Sequence, residues 1–455
     1  MLADRLLPPE PLADLDAYRR RGGGEGLSRA RRLGSDAVID EVTRAGVRGR
    51  GGGGFPAGRK WRSVRDTAGA EDTTFVVANG AEGEPATFKD RQLMRSNPYQ
   101  VLEGTAIAQL AVGAARAFVG VKASFGAEIA RLEAALVEME QASWIEPGSI
   151  IVVEGPESYL FGEETGLLGV IEGGDALPRG VPPYVHGLFS GAAQLGWTAG
   201  TGVGAGAGSG ANPTVVNNVE TLAAAAAVLA NGPGWYRSVG TEQTPGTLLC
   251  TVVGDTRRAA VAEVVAGTPL AALVEEVGGG VGDGRSVGAV LSGVANPVIT
   301  GAHLDVGLSY EAMASLGSGL GAAGFAVYDD RTDMVAIAHA IATFLAVESC
   351  GQCPPCKLGC EAVSGLLGDV RSGRLGPEDG ALRITGRLRT VTDANRCYLG
   401  RQCQTVVASL IGAFPDQFAA ERPPARVVDV LVPVIADIVD GVAIYDETKS
   451  SAPRG

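Results

Sequence analysis

The stretch Asp36–Trp61, DAVIDEVTRA followed by GVRGRGGGGFPAGRKW, decides the fold when it is read with Thr73–Gly80, TTFVVANG. In the first ten residues the apolar positions recur at helical spacing. The next block holds glycines at 49, 51, 52, 53 and 54, too many for a helix or a strand. The last is a short apolar strand that ends in a turn. Helix, glycine loop and strand in this order predict an α/β layer architecture. The pattern continues outward. Asn97–Ala114 reads as a helix, FVGVKAS as a strand, and Ser149–Val153 (SIIVV) as another strand.

The glycine run permits close backbone approach to a ligand, and its N–H groups can cradle a phosphate. It is not a nucleoside-triphosphate loop. In the window from Gly53 to Gly58 the required lysine position holds Arg59, and Trp61 stands after Lys60 where Ser or Thr belongs. The second glycine-rich segment, Gly196–Asn212, alternates small residues without a strict G-x-G-x-x-G and opens no helix. It reads as a surface loop, not a dinucleotide fingerprint.

With 455 residues the chain has material for several domains. A net charge of −13 argues against nonspecific binding to nucleic acid or anionic membrane. No secretory signal is visible, and no charge-free apolar window reaches the ~20 residues of a membrane span. The expectation is a cytoplasmic protein, peripheral on a larger complex if membrane-associated at all.

Residues 246–330 change character. The strands GTLLCTVVGD and GAVLSGVANPVI surround one helix, PLAALVEEVG, as in a small separate α+β domain. From Thr332, a candidate N-cap, the chain turns helical up to Glu348. The C-terminal VVDVLVPVIADIVDGVAIYD reads as a core helix or a strand pair.

Six of the seven cysteines fall between Cys350 and Cys403. In a reducing compartment such clustering argues for metal. Cys350, Cys353 and Cys356 form a C-x2-C-x2-C run that suits a cubane cluster, which needs four thiolates. Cys360, Cys397 and Cys403 are candidates for the fourth. A zinc site would favour two C-x2-C pairs, and the spacing from Cys397 to Cys403 fits that poorly. Carboxylates cluster in two turns, Glu82 with Glu84 and Glu163 with Glu164. Beside a phosphate loop they make sense as acceptors of ribose or ribityl hydroxyls. Asn217 and Asn218 can bond a flavin edge, and Asn218 before VETLAAAA is a helix-cap candidate.

These motifs, in this order, resemble one family: the 51-kDa-type flavin subunit of respiratory complex I and its relatives in NAD-linked hydrogenases and formate dehydrogenases. The resemblance runs through RGRGGGGFPAGRKW, EGEPATFKDR, YLFGEETGLL, PTVVNNVETLA, ESCGQCPPCK and RCYLG. It implies a Rossmann-like flavin domain over residues 1–240, a ubiquitin-like β-grasp domain over 243–330 and a helical iron–sulfur domain over 331–455. It also implies FMN, NAD(H) and one [4Fe-4S] cluster as cofactors, and NADH dehydrogenase activity that delivers electrons to a partner.

By the same resemblance Gly49, Arg50, Gly51, Gly52 and Lys60 would approach FMN. Asn79, Glu82, Tyr159, Gly162, Glu163, Glu164, Asn217, Asn218 and Thr221 would complete its pocket. Phe55 and Tyr184 would stack on the NADH adenine, with Lys60, Glu84 and Glu164 nearby. Cys350, Cys353, Cys356 and Cys397 would ligate the cluster, Cys403 being the second choice to Cys397. No side-chain acid or base is needed for hydride transfer. The implied partners are other subunits of an oxidoreductase, among them a thioredoxin-like or ferredoxin-like iron–sulfur protein. The chain departs from the family pattern at Ala81, where an aspartate is usual, at Ala86, where a glycine is usual, and in the long loop before Asn212. The loss at Ala81 keeps open a second reading, an electron-transfer or scaffold subunit that no longer oxidises NADH. Acidic Glu84 and Glu164 would repel a 2′-phosphate and favour NADH over NADPH.

Overall fold

The computed structural model describes residues 2–69, 72–191, 210–419, 428 and 431–450. The glycine-rich segment before Asn212 lies largely outside them. The chain forms two compact units. The first comprises Met1–Glu82, Asp90–Leu249 and Glu263–Ala266; the second comprises Gly83–Lys89, Cys250–Ala262 and Gly267–Gly455.

The first unit is built on four parallel strands, β1 (Phe75–Asn79), β2 (Arg116–Lys122), β3 (Ile150–Gly155) and β4 (Thr214–Asn218), in the order β3-β2-β1-β4. Strand β1 is a continuous apolar run, as expected of a strand covered on both faces. Helices α1 (Ser35–Ala45), α2 (Ala57–Thr67), α3 (Lys89–Ser96), α4 (Pro98–Val112), α5 (Glu164–Ile171) and α6 (Val219–Asn231) connect and cover the sheet.

Helix α4 begins at an Asn97 cap with Pro98 in its first turn, and nearly all of it is buried. It packs on the alanine-rich α6 so closely that a β-carbon on Gly104 would stand 2.0 Å from the Leu222 carbonyl oxygen. Small residues allow that approach. Buried Glu103 on α4 accepts hydrogen bonds from the Tyr18 hydroxyl and from the Gly24 and Leu27 N–H groups, which ties the N-terminal segment to the core.

Most of a mixed sheet of β5 (Thr247–Gly254), β6 (Ala260–Val265), β7 (Val287–Ser292), β8 (Ile299–Thr300) and β9 (Gly324–Asp329), ordered β6-β5-β9-β7-β8, falls in the second unit. Strand β5 runs parallel to β9, whereas β7 is antiparallel to both β9 and β8. The helical turn Leu270–Val277 between β6 and β7 completes a β-grasp arrangement. Cys250 is a fully buried apolar residue of β5.

The remainder is helical: α7 (Met334–Glu348), α8 (Pro354–Arg371), α9 (Pro377–Leu388) and α10 (Leu399–Ala413). The α7 cap is Asp333, one residue beyond the expected Thr332. Its carboxylate accepts the Val335 and Ala336 N–H groups, while Thr332 is turned to Asp255 and Asp329. The C-terminal apolar stretch ends in a strand pair, β10 (Ile435–Val439) with β11 (Val442–Tyr445). Among the described residues no helix is long and apolar enough to cross a membrane.

Candidate functional site

The glycine loop is closed at its neck. The Ala57 N–H donates to the Val47 carbonyl at 2.9 Å, the Gly49 N–H donates to the Phe55 carbonyl at 2.8 Å, and Arg48 Nε donates to the Gly54 carbonyl at 2.8 Å. Within the loop Gly52 and Gly54 have φ of 111° and 60°, a region that side chains disfavour. A β-carbon on Gly51 would stand 3.3 Å from Cβ of Asn218, so the loop backbone passes directly over the start of α6. One hydrogen bond sets this register, from the Arg50 N–H to Thr221 Oγ1 at 2.9 Å.

The Arg50 guanidinium points the other way, into the core. It donates to the Tyr236 hydroxyl at 3.1 Å and the Thr247 carbonyl at 3.0 Å, and its Nε lies 3.8 Å from Glu220 Oε1. Backbone, not side chain, is what residue 50 offers to a ligand over the loop.

The carboxyl ends of β1 and β4 lie opposite. Asn218 caps α6 through Oδ1, and its amide donates to Asp90 Oδ2 at 2.7 Å. Asn217 accepts from Trp61 Nε1 at 2.7 Å. Asn79 donates to the Gly162 carbonyl at 2.8 Å and accepts from the Ala81 N–H, pinning the turn Tyr159–Gly162 against β1. Glu82 accepts the Asp90 and Arg91 N–H groups at the start of α3. Glu163 caps α5, accepting from the Thr165 hydroxyl and the Thr165 and Gly166 N–H groups, and burial pushes its carboxyl above the usual range. Lys60 donates to Glu164 at 2.7 Å and to the Val216 carbonyl at 2.9 Å, and the Lys60–Glu164 pair is partly exposed.

Thus the structure brings Gly49, Arg50, Gly51, Gly52, Lys60, Asn79, Glu82, Glu164, Asn217, Asn218 and Thr221 into one hydrogen-bonded frame, with Gly162 and Glu163 on its pinned turn. Several of their polar groups hold the frame itself. Glu84 belongs to the second unit, where its carboxylate accepts the Val294 N–H at 2.6 Å. Phe55 is half-exposed with the Arg59 guanidinium 5.7 Å from its ring centre, and Tyr184 is exposed; among the described residues no ring contact joins the two. Sequence reasoning missed Arg48, the fastener of the loop, and Asp90, the partner of Asn218. Asp90 lies within the quoted EGEPATFKDR, and only the fold shows that it turns to Asn218. Ala81 is buried against Phe161 and Leu167, in an apolar cluster under the turn.

In the second unit Cys350 and Cys353 lie in the loop between α7 and α8, and Cys356 sits in the first turn of α8 behind Pro354 and Pro355. Gly351 takes φ of 80°, which turns the loop between the first two thiols. The Arg396 N–H donates to Cys353 Sγ at 3.4 Å, so the segment carrying Cys397 lies beside the C-x2-C-x2-C run. Cys360 and Cys403 are fully buried. The Cys356 thiol is pushed well above its ordinary range, first by the neighbouring Cys360 thiol and then by burial. Among the described residues no three Cys, His or carboxylate side chains converge on the spacing of a single metal ion.

Residues 42–227 match the model of the Nuo51 FMN-binding domain, and residues 336–421 match the NADH-ubiquinone oxidoreductase-F iron-sulfur binding region. One of the F-type NADH-quinone oxidoreductase subunits of Rhizobium meliloti, the one numbered 2, is 36% identical over 373 residues, 79% of this chain and 83% of that protein. The chain belongs to this family. The F-type subunit of Streptomyces coelicolor is 32% identical over 89% of this chain and 87% of its own length. The NADP-reducing hydrogenase subunit HndC of Solidesulfovibrio fructosivorans is 30% identical over 95% of this chain and 86% of that subunit. An NAD+-reducing [NiFe]-hydrogenase, solved in its air-oxidised state, superposes with a TM-score of 0.76 at 30% identity. The match covers 92% of this chain and 68% of that one.

F-type subunits carry electrons from NADH by way of FMN and an iron–sulfur cluster, and this chain is an FMN-dependent NADH oxidoreductase subunit of that kind. An iron–sulfur cluster, not zinc, is therefore the metal group of this chain. Both sites fit their groups. The space beside Gly51 is one that a β-carbon would narrow, and the thiols of the run are soft donors suited to iron and sulfide.

Proposed function

We propose that the frame in the first unit is the FMN and NADH site, and that Cys350, Cys353, Cys356 and Cys397 hold the cluster. The observation that carries the first part is the Arg50–Thr221 hydrogen bond, which lays the glycine loop across the carboxyl ends of β1 and β4. Ligands of open α/β sheets bind at those ends. The backbone of Gly49–Gly52 would hold the flavin phosphate. Asn79, Asn218 and Asp90, with Tyr159 and Gly162 beside them, would orient the ring system and ribityl chain. When bound, the flavin accepts a hydride and releases electrons singly.

The chain's own contribution is position. Lys60 and Glu164 form a partly exposed ion pair that meets the nucleotide, and Phe55 with Tyr184 offers aromatic faces to its adenine. Holding the nicotinamide at attack distance removes most of the entropic part of the barrier. The Glu164 carboxylate disfavours a 2′-phosphate, which argues for NADH. The Arg396–Cys353 hydrogen bond supports Cys397 as fourth ligand, because it holds the neighbouring residue against the run. Functionally the second unit divides at about residue 330 into a β-grasp part and a cluster part. The electrons leave to another subunit of a soluble or membrane-peripheral complex, an iron–sulfur protein of thioredoxin-like or ferredoxin-like type.

The test is an anaerobic absorption spectrum before and after NADH, and separately NADPH. Flavin bands over a broad iron–sulfur background should bleach with NADH and respond far less to NADPH. A brown protein without flavin, or with flavin that NADH leaves unbleached, would favour the electron-transfer reading and point to Ala81.

A further inference from the structure

Arg396, the residue before Cys397, reaches two thiols of the cysteine run by different routes. Its backbone N–H donates to Cys353 Sγ at 3.4 Å. Its guanidinium donates from Nη1 to Gln352 Oε1 at 2.9 Å, and Gln352 Nε2 donates in turn to Cys350 Sγ at 3.5 Å. Gln352 stands between Cys350 and Cys353, and the φ of 80° at Gly351 turns the loop just before it.

The chemistry of the two groups fixes which way the amide points. A guanidinium has donors only, so the amide end that meets Arg396 is the carbonyl oxygen. The NH2 end is then left for Cys350. A ligating cysteine is a thiolate and can only accept, so that end is the one it needs. A glutamine with no such anchor can present either end, or neither, and must lose rotamer freedom to reach the sulfur. The Arg396 bond removes most of that freedom beforehand. Hydrogen bonds to cluster sulfurs favour the reduced, more negative cluster and raise its potential. Cys350 is exposed, so water replaces part of the bond when the amide is removed, and the effect is modest.

We propose that Arg396 is a positioning residue whose guanidinium aims the Gln352 amide at the Cys350 thiolate, and that the aimed N–H···S bond makes the cluster a better electron acceptor. The inference rests on the reading of Cys350 as a cluster ligand. Gln352 acts through that ligand, and the Arg396 side chain acts through Gln352.

The experiment compares the full chain with Gln352→Met, Arg396→Met, Arg396→Lys and the double variant Gln352→Met with Arg396→Met. It measures iron and sulfide content, FMN content as a check on folding, and the cluster midpoint by EPR-monitored redox titration. All four should keep about four irons, because every thiol and the N–H at residue 396 remain. In Gln352→Met the reduction equilibrium should shift roughly threefold against the reduced cluster, a fall of about 28 mV at about 59 mV per tenfold for one electron. Arg396→Met should give a fall of the same sign, and Arg396→Lys, which still donates to the carbonyl oxygen, should recover most of it. The double variant should fall little further than Gln352→Met alone, because the two side chains act through one bond. Full iron with an unchanged midpoint in Gln352→Met would overturn the tuning role and leave the ligand set standing. Additive falls in the double variant would overturn the positioning role, since the Arg396 charge would then act on its own. Loss of iron with FMN retained in Gln352→Met would also overturn the tuning role, making the amide a requirement of assembly. A complete cluster in Cys350→Ala would instead remove the ligand reading on which the inference rests.

Discussion

Replacing Arg50 by methionine separates two roles for the residue in the glycine loop. The substitution keeps a long side chain and removes the charge. In the fold the guanidinium is almost fully buried and donates to the Tyr236 hydroxyl and the Thr247 carbonyl beside the Glu220 carboxylate. Hydrogen bonds from a charged donor contribute about 1.5–3 kcal/mol each. Removing one member of a buried ion pair costs about 3–5 kcal/mol. The second figure already contains the first, so about 3–5 kcal/mol is the expected loss. For a unit of this size that lowers the melting temperature by roughly 6–20 °C.

The Arg50 N–H to Thr221 bond survives the substitution, so the loop stays in register below the new transition. FMN affinity of the folded protein should therefore change by less than about threefold, under about 0.7 kcal/mol. The assay is thermal and urea unfolding followed by circular dichroism, together with FMN titration well below the transition. Adding Glu220→Gln should restore about 1–2 kcal/mol, because the anion left beside the gap is gone. Unchanged stability with FMN affinity reduced tenfold or more would refute the reasoning. It would mean that the guanidinium reaches the ligand.

Gly51→Val should weaken FMN binding by about tenfold or more, near ~1.4 kcal/mol, with the apoprotein melting temperature nearly unchanged. A β-carbon there already stands 3.3 Å from Asn218 Cβ, and the γ-methyls add bulk between the loop and the start of α6; equilibrium titration of flavin fluorescence reads it. A second prediction concerns pH. Burial, and next the Arg371 guanidinium donating to Nδ1, pull the His339 pKa down to about 4. The unfolded chain, with histidine near its ordinary value of about 6.5, then binds more protons than the folded one between these values. Stability from this site is present above about pH 6.5 and is lost as the pH falls toward about 4. Linkage alone gives about 3 kcal/mol, and partial exposure reduces that to about 1 kcal/mol. Urea midpoints of wild type and His339→Gln across this window should converge toward its acid end; parallel curves would contradict it.

Local pattern carried far in this chain because its elements end on residues with local reasons to end them. Asn218 was readable as a cap, since a side-chain amide before an apolar helical run satisfies the first N–H groups. The apolar runs of β1, β2 and β3 were readable as strands of an α/β layer, and the changed character after residue 246 as a small α+β domain, which the family resemblance made a β-grasp. The α7 cap was misplaced by one residue because Thr332 and Asp333 are both good cappers locally. Asp255 and Asp329 engage the Thr332 hydroxyl and leave the cap to Asp333.

By itself the sequence determined the order of α/β, α+β and helical parts, the glycine run and the thiol run, because spacing along the chain is what those features consist of. Only the tertiary structure decided where each polar side chain is spent. Arg50 turns into the core because Glu220 and Tyr236 are there. Glu82 caps α3, Asn217 serves Trp61, and Glu84 serves Val294. Each partner is eight or more residues away, most of them over a hundred. A side chain has one or two strong hydrogen bonds to make, and which group receives them depends on neighbours that periodicity and local propensity do not specify.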